Sequence, residues 1–358
     1  MREAIDLRVR GAATAQAAQA ARRSGKRRRD RGWRRLGLGL LSAALLLTAQ
    51  PFESSALAFV RSLTRSCRPV FWPQSCLYVQ PDGDLLGPDL LPATVEAAIQ
   101  NAVQAWNDHL GVSSFLQLRY LAPRGPQEVN PLDGLQLIKF RRDRWCRSST
   151  ATSSMQVCFD QSATAVTTVT FINRPSDPTN DGRIIDADID FNAVNFRFYD
   201  ADQGPPTVTN GRSPVDLWNT VTHELGHVMG LEHPCSLFPG ALAACVADDQ
   251  GVPVPDCSLV EQNRSGDLHL QTIYESTMYP TAAPGETTKR QPHADDVAGV
   301  ITSYPRVKDP MTCKLPVVAQ GVGCAAPAAL AEPRAAPLWA GVLLALLTAL
   351  RRRRLQAR

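Results

Sequence analysis

Apolar residues recur along this chain at two spacings, and each spacing predicts a different kind of element. Three segments place apolar residues three or four positions apart, which predicts amphipathic helices over residues 94–107, 213–228 and 292–304. Short apolar runs predict strands over residues 115–120, 135–140 and 166–172. A further strand is predicted over residues 183–191, where apolar residues alternate with aspartates.

Two of the predicted helices have residue types that are typical of helix ends. Ser213 is expected to cap the middle helix, with Pro214 at its first position and Asp216 closing a capping box. The last helix has two aspartates in its first turn and a proline directly after its end. These signals place the start of the middle helix at Ser213.

The strand predicted over residues 183–191 has one apolar face and one carboxylate face. Its apolar positions are Ile185, Ala187 and Ile189, and its carboxylates are Asp186, Asp188 and Asp190. Such aspartates can keep a strand soluble and unaggregated, supply oxygen ligands to Ca²⁺, or favour basic residues in a bound peptide. Calcium stays an alternative, although the chain has no EF-hand spacing and no glycine-rich calcium repeat.

The N-terminal region has the pattern of a secretory signal peptide. Clusters of arginine precede an apolar run at residues 36–49, and a small-x-small sequence ends at Ala58. We therefore predict a signal peptide over residues 1–58 and export of the chain. A retained N-terminal anchor is the alternative, but the apolar run is short for a bilayer.

The C-terminal region is patterned as well. Residues 316–337 form an Ala/Pro-rich spacer that contains Gly323-Cys324, and residues 338–358 combine an apolar run with an arginine cluster. This order resembles the C-terminal sorting tails of myxobacterial surface proteins, which implies transient membrane association and processing near Cys324. The positive-inside rule also places the arginines in the cytoplasm. A single-pass anchor is the alternative.

The charge of the chain is concentrated at its ends. The whole chain carries a net charge of +4, but residues 1–58 hold 12 basic and 4 acidic residues, and residues 325–358 hold 6 and 1. The 20 basic and 29 acidic residues of the segment 59–324 leave it at −9. No basic patch argues for nucleic acid as a partner.

The cysteines agree with export. The chain has nine cysteines, and setting aside Cys324 in the tail leaves an even number, which predicts four disulfides in an oxidising compartment. Cys146 and Cys158 are predicted to form a local pair across a hairpin. Cys235, Cys245 and Cys257 lie in the long segment between His233 and Met278, which disulfides would cross-link. A cysteine–zinc cluster is the alternative, but the sequence contains no CxxC pair.

The sequence His223-Glu224-Leu225-Gly226-His227 has the spacing of a zinc site on a helix. Residues four apart lie on one face of a helix, so both imidazoles can reach one ion. Glu224 is close enough to reach a water on the metal without binding the metal itself. Incidental histidines on a structural helix are the alternative, but they do not explain the glutamate.

A third histidine follows at a spacing that requires a change of direction. Gly230 can adopt the left-handed conformation that ends a helix, which would let His233 supply a third nitrogen. Three protein ligands leave one tetrahedral position open, and an open position distinguishes catalytic from structural zinc. We therefore predict a single catalytic Zn²⁺ on His223, His227 and His233, with Glu224 as general base.

These residues resemble the metzincin metalloproteases, in which HExxHxxGxxH is followed by a methionine turn below the zinc. Ser276-Thr277-Met278-Tyr279-Pro280 resembles that turn, and Tyr279-Pro280 directly after Met278 is similar to the matrixin branch. The resemblance implies an α+β catalytic domain that has a twisted mixed β-sheet, an active-site helix and two further helices. It implies that Met278 and Gly230 support the active site, although ordinary core packing is the alternative for Met278.

The resemblance also gives the segment 183–191 a role. In metzincins the strand at this place is the sheet edge that pairs with the extended substrate, which implies that Ile185, Ala187 and Ile189 line the substrate. An edge backbone binds peptides through main-chain hydrogen bonds.

Domain organisation and function follow as expectations. We expect an N-terminal disulfide-bearing segment at residues 59–90 and one metzincin-type catalytic domain at residues 91–315. The chain is expected to be a monomeric zinc endopeptidase acting on proteins or peptides, outside or on the outer surface of a Gram-negative bacterium. A surface-displayed binding protein that keeps a non-catalytic zinc is the alternative.

Overall fold

A five-stranded mixed β-sheet covered by helices organises the chain in the computed structural model. The structure describes residues 58–84, 89–147, 156–204, 207–237, 247–248 and 250–315. Residues 1–57 of the predicted signal peptide, together with the spacer and the hydrophobic tail at residues 316–358, lie outside these ranges. Among the described residues, no helix is both long enough and apolar enough to cross a membrane.

The described part contains five α-helices and eleven short or medium strands. The strands are β1 (Val60–Arg61), β2 (Cys76–Pro81), β3 (Gln117–Tyr120), β4 (Gln136–Arg141), β5 (Cys146–Arg147), β6 (Val157–Cys158), β7 (Ala165–Phe171), β8 (Ile184–Asn192), β9 (Phe196–Tyr199), β10 (Ser213–Asp216) and β11 (Leu231–Glu232). The helices are α1 (Pro92–Leu110), α2 (Leu217–Val228), α3 (Cys257–Asn263), α4 (Leu268–Glu275) and α5 (Ala294–Ser303). The predicted strands and helices are therefore present, and α3 and α4 are additional.

The main sheet has the strand order β3-β2-β4-β8-β7. The first four strands run parallel to their neighbours, and β7 is antiparallel to β8 at one edge. This is a mixed sheet in an α+β protein, the class that the resemblance implied. The segment before α1 belongs to the same sheet, because β2 lies between β3 and β4.

The core lies between one face of this sheet and the two long helices. The predicted stripe on α1 is buried at Val95, Ala102 and Trp106, and Ala98 packs against the same cluster. Helix α2 contributes Val221, Leu225 and Val228 to that cluster, which also contains apolar residues of β4 and β8. The helix that carries the predicted zinc ligands is therefore held by the main core.

The predicted start of the middle helix at Ser213 is wrong. Ser213 and Pro214 belong to β10, which pairs in parallel with β9, so this segment is extended. Helix α2 begins at Leu217, and the Asp216 carboxylate caps it by accepting the N–H of Asn219 at 2.8 Å. Two further hydrogen bonds from the Arg290 guanidinium hold that carboxylate in place. Tertiary pairing outweighs the local capping signal here.

The prediction that residues 183–191 form a sheet edge is also wrong. Strand β8 has β4 on one side and β7 on the other, so Ile185, Ala187 and Ile189 cannot pair with a substrate strand. The aspartates are buried instead of solvent-facing, which rules out solubility and contact with basic substrate residues as their role. Asp190 pairs with Arg141 and Arg147, and Asp188 accepts the N–H of Leu137.

Three cysteine pairs lie at bonding distance. They are Cys76–Cys313, Cys146–Cys158 and Cys235–Cys257. The predicted Cys146–Cys158 pair is thus present, and it joins the paired strands β5 and β6. Cys67 is also disulfide-bonded, and Cys245 and Cys324 lie outside the described residues. Cys76–Cys313 ties β2 to the end of the described chain.

Ala58, the last residue of the predicted signal peptide, is buried in this fold. Its backbone N–H donates to the Asp295 carboxylate at 2.7 Å, on the first turn of α5. Cleavage directly after Ala58 would remove a residue that packs against the domain.

Burial of Asp188 predicts that stability falls with rising pH. Desolvation raises the pKa of Asp188 to about 7, although the positive charge of Arg147 acts in the opposite direction. Between pH 4 and 7 the folded chain then holds a proton that the unfolded chain releases, so the free energy of unfolding decreases as pH rises. One pKa unit corresponds to about 1.4 kcal/mol.

Asp188→Asn should flatten this decrease, because the amide cannot ionise and its carbonyl oxygen can still accept the N–H of Leu137. Urea unfolding at several pH values between 4 and 8, in the presence of a calcium chelator, measures the difference. An unchanged slope in the variant would contradict the assignment to Asp188.

Candidate metal centre

Helix α2 places His223 and His227 one turn apart on the same face. Both imidazoles are buried, although the helix is anchored in the core by its opposite face. The carbonyl groups at the end of the helix are satisfied by side chains, because Trp72 Nε1 donates to Val228 at 2.7 Å and Tyr304 Oη donates to Met229 at 2.9 Å. The segment that presents the imidazoles is thus held at both ends.

His233 reaches the same point because the chain turns at Gly230. Gly230 has φ of +91°, the left-handed conformation that the sequence predicted. The next two residues form β11, which pairs antiparallel with β1, and Ser62 donates its N–H to the carbonyl of Gly230 at 2.9 Å. The third histidine therefore depends on the N-terminal strand as well as on the glycine.

The three imidazoles converge through their Nε2 atoms. His233 Nε2 lies 3.2 Å from His223 Nε2 and 3.1 Å from His227 Nε2. With zinc–nitrogen bonds of about 2.0 to 2.1 Å, a tetrahedral site requires nitrogen atoms about 3.3 Å apart. The observed separations fit that requirement.

Backbone carbonyls set the tautomer of the two helical histidines. His223 Nδ1 donates to the carbonyl of Thr277 at 2.6 Å, and His227 Nδ1 donates to that of Leu231 at 2.9 Å. Each Nε2 is then left with a lone pair, which is the form that binds a metal. Burial lowers the pKa of His223 and His233 well below the ordinary value, and the neighbouring imidazoles lower it further.

The donor set fits zinc. Three buried imidazole nitrogens, with His233 Nε2 close to tetrahedral spacing from the other two, match the ligand types of a catalytic zinc site. Within the described ranges, these histidines form the one group of metal-ligating side chains close enough to hold an ion. The aspartates of β8 belong to no such group, so the structure gives the calcium prediction no support.

Glu224 lies on the same helix, next to His223, and its carboxylate is buried. Thr167 on β7 donates its hydroxyl to Glu224 Oε2 at 2.6 Å. Burial raises the pKa of Glu224, while His227 and the Thr167 hydrogen bond act in the opposite direction. A carboxylate with a raised pKa is a stronger base than an ordinary carboxylate, which favours a role in proton transfer.

Met278 is buried and belongs to the main core cluster. A Cβ atom added to Gly226 would come within 2.2 Å of Met278 Sδ, so helix and turn are in direct contact at this glycine. Thr277 joins the turn to α5, because its N–H donates to Asp296 Oδ2 at 2.6 Å. The same residue accepts the His223 hydrogen bond through its carbonyl.

Several of these residues are not identifiable from the sequence. Thr167 and Asp296 are distant from the motif in the chain and reach it only through tertiary packing. Gly226 is identifiable from the sequence, because glycine destabilises a helix and its presence inside one indicates a close contact. The contact here is Met278.

The strand at the sheet edge beside Glu224 is β7. Its outer side has no partner strand among the described residues, and Thr167 on it contacts Glu224. The carbonyl of Thr164 accepts the N–H of Asn192, so the backbone groups of Thr164 point towards β8. Backbone groups of successive residues point alternately towards and away from the partner strand, so those of residues 165, 167 and 169 point away from β8. An extended peptide could pair with these groups.

A comparison with known protein families finds no match for this chain, and a comparison with curated proteins finds none either.

Contact between Gly226 and Met278 predicts that the two positions are energetically coupled. Gly226→Ala should force Met278 aside and destabilise the protein by about 1–3 kcal/mol through overpacking. Met278→Ala should cost about 2–5 kcal/mol through the cavity it leaves. The double variant should lose less than the sum, because the new methyl group occupies part of that cavity. Urea unfolding of the four proteins measures the coupling, and additive losses would contradict the contact.

Proposed function

We propose that this chain is a zinc-dependent endopeptidase of metzincin type, similar to the matrixin branch. The observation that carries the proposal is the buried group formed by His223, His227, His233 and Glu224, with nitrogen separations that fit a tetrahedral ion. The contact of Met278 with Gly226 and the mixed five-stranded sheet of an α+β fold support the proposal. The disulfide pairs agree with export, so we propose that the protein acts outside the cytoplasm.

Zinc bound by three imidazoles, with one open position, would act as a Lewis acid and lower the pKa of a water in that position towards ~7. His223 and His227 would hold the ion through Nε2, and their Nδ1 hydrogen bonds to backbone carbonyls would keep the rings in the required orientation. His233, after the turn at Gly230, would complete the ligand set.

Glu224 would act as general base and then as general acid. Its carboxylate would take a proton from the attacking water and return it to the nitrogen of the leaving amine. The raised pKa of Glu224 in its buried surroundings suits both steps, because the group must be ionised before attack and must release the proton afterwards.

The substrate would bind as an extended strand along β7. The outward backbone groups of residues 165, 167 and 169 would form main-chain hydrogen bonds with the peptide, which explains how such a site can accept many sequences. Because Thr167 also contacts Glu224, this pairing would bring a peptide bond close to the general base.

Removal of the Glu224 charge tests the proposal. Glu224→Gln should retain about one equivalent of zinc but lose at least ~100-fold in kcat on peptides, since general-base catalysis contributes roughly that factor. Elemental analysis and peptide hydrolysis measure both quantities. Glu275→Gln, the same change on the exposed surface of α4, is the control and should match wild type.

The outcomes separate the proposal from its rival. Wild-type protein that binds zinc but cleaves no peptide would favour a binding protein with a structural zinc. Zinc far below one equivalent in active protein, or full activity in Glu224→Gln, would contradict the proposed mechanism.

A further inference from the structure

The inward face of β7 contains one hydroxyl among apolar side chains. Ala165 and Val169 pack against the main core, and Thr167 lies between them on the same face, 4% exposed. A hydroxyl buried without a hydrogen-bond partner costs free energy, so an acceptor within reach of the Thr167 hydroxyl stabilises it. Valine would satisfy the packing and the strand propensity equally well.

The acceptor is the carboxylate of Glu224. The Thr167 hydroxyl lies 2.6 Å from Glu224 Oε2 and 3.4 Å from the backbone carbonyl oxygen of the same residue. A carboxylate can only accept, so the hydroxyl is the donor, and hydrogen bonds to ionised groups are stronger than those between neutral groups. The contact with the carboxylate is therefore the stronger of the two hydroxyl contacts, and the backbone N–H of Thr167 acts on the same carboxylate.

The position of this hydroxyl is set by the sheet. Thr167 pairs with Ile189 of β8, which is itself paired with Ile138 of β4, so the strand cannot slip relative to the core. Glu224 projects from α2, which packs against β7. Two rigid elements thus meet at the contact between the hydroxyl and the carboxylate.

We propose that Thr167 is a positioning residue, whose hydroxyl holds Glu224 Oε2 so that Oε1 is the oxygen that takes the proton and returns it. This inference rests on the proposed peptidase function and adds a residue to it. The hydrogen bonds of the Thr167 hydroxyl go to Glu224, and Thr167 is not one of the three candidate metal ligands. It acts by limiting the rotamers of a side chain that has three rotatable bonds.

Substitutions at residue 167 separate positioning from packing. Thr167→Val keeps the shape and removes the hydroxyl, whereas Thr167→Ser keeps the hydroxyl and removes a methyl group. Thr168→Val is the matched control, because Thr168 is buried on the opposite face of the same strand and its hydroxyl has no hydrogen-bond partner among the described residues.

Each full-length variant is compared for kcat, KM, zinc content and the crystallographic position of Glu224 in metal-free protein. In Thr167→Val, kcat should fall at least about tenfold, the usual lower limit for loss of such a supporting hydrogen bond. KM should stay within about twofold, zinc should stay near one equivalent, and the Glu224 carboxylate should leave its position. Thr167→Ser should recover most of the kcat and the position of Glu224, and Thr168→Val should match wild type.

Two results would overturn the inference. One is a kcat for Thr167→Val equal to that of Thr168→Val, and the other is a Glu224 side chain that stays in place without the hydroxyl. If Thr167→Val does not fold, Thr167→Ala and Thr167→Ser give the same comparison. If wild-type protein cleaves no peptide, the proposed function fails, and the position of Glu224 in the metal-free crystals still decides whether Thr167 positions it.

Discussion

The convergence of three imidazole nitrogens is the constraint on which the rest of this structure depends. Lone pairs about 3 Å apart repel one another, and the two helical rings cannot relieve this by rotation because Thr277 and Leu231 hold their Nδ1 atoms. A cation at the centre would turn that repulsion into ligand bonds. The surrounding hydrogen bonds therefore orient the site in advance, at a cost in stability that metal binding would offset.

That constraint explains why elements far apart in the chain meet at α2. Asp216 and Arg290 hold the beginning of the helix, while Trp72 and Tyr304 hold its end. The turn that contains Met278 is connected to α5 through Asp296, whose pKa is raised to about 7 by burial and by the adjacent Asp295. Loss of any of these contacts would displace an imidazole.

Local signals predicted those parts of the fold that depend on local physics. The stripe on α1, the left-handed turn at Gly230 and the Cys146–Cys158 pair follow from spacing and residue type, and all three are present. Ser213 gave a false helix start because pairing between β9 and β10 is a tertiary effect that no local pattern reveals. Thr167 and Asp296 were not predictable for the same reason, since each reaches the site across the sequence.

The aspartates of β8 mark the limit of pattern analysis most clearly. Alternation of apolar and charged residues normally indicates a strand that has one buried and one solvent-exposed face. In this structure both faces of β8 are buried. Two arginines from outside the strand form ion pairs with the Asp190 carboxylate. The Asp188 carboxylate is not compensated to the same degree, and burial raises its pKa to about 7. Topology decides which strand forms the edge, and it makes β7 an edge strand while β8 lies inside the described sheet. This arrangement brings Thr167 of the edge strand against Glu224.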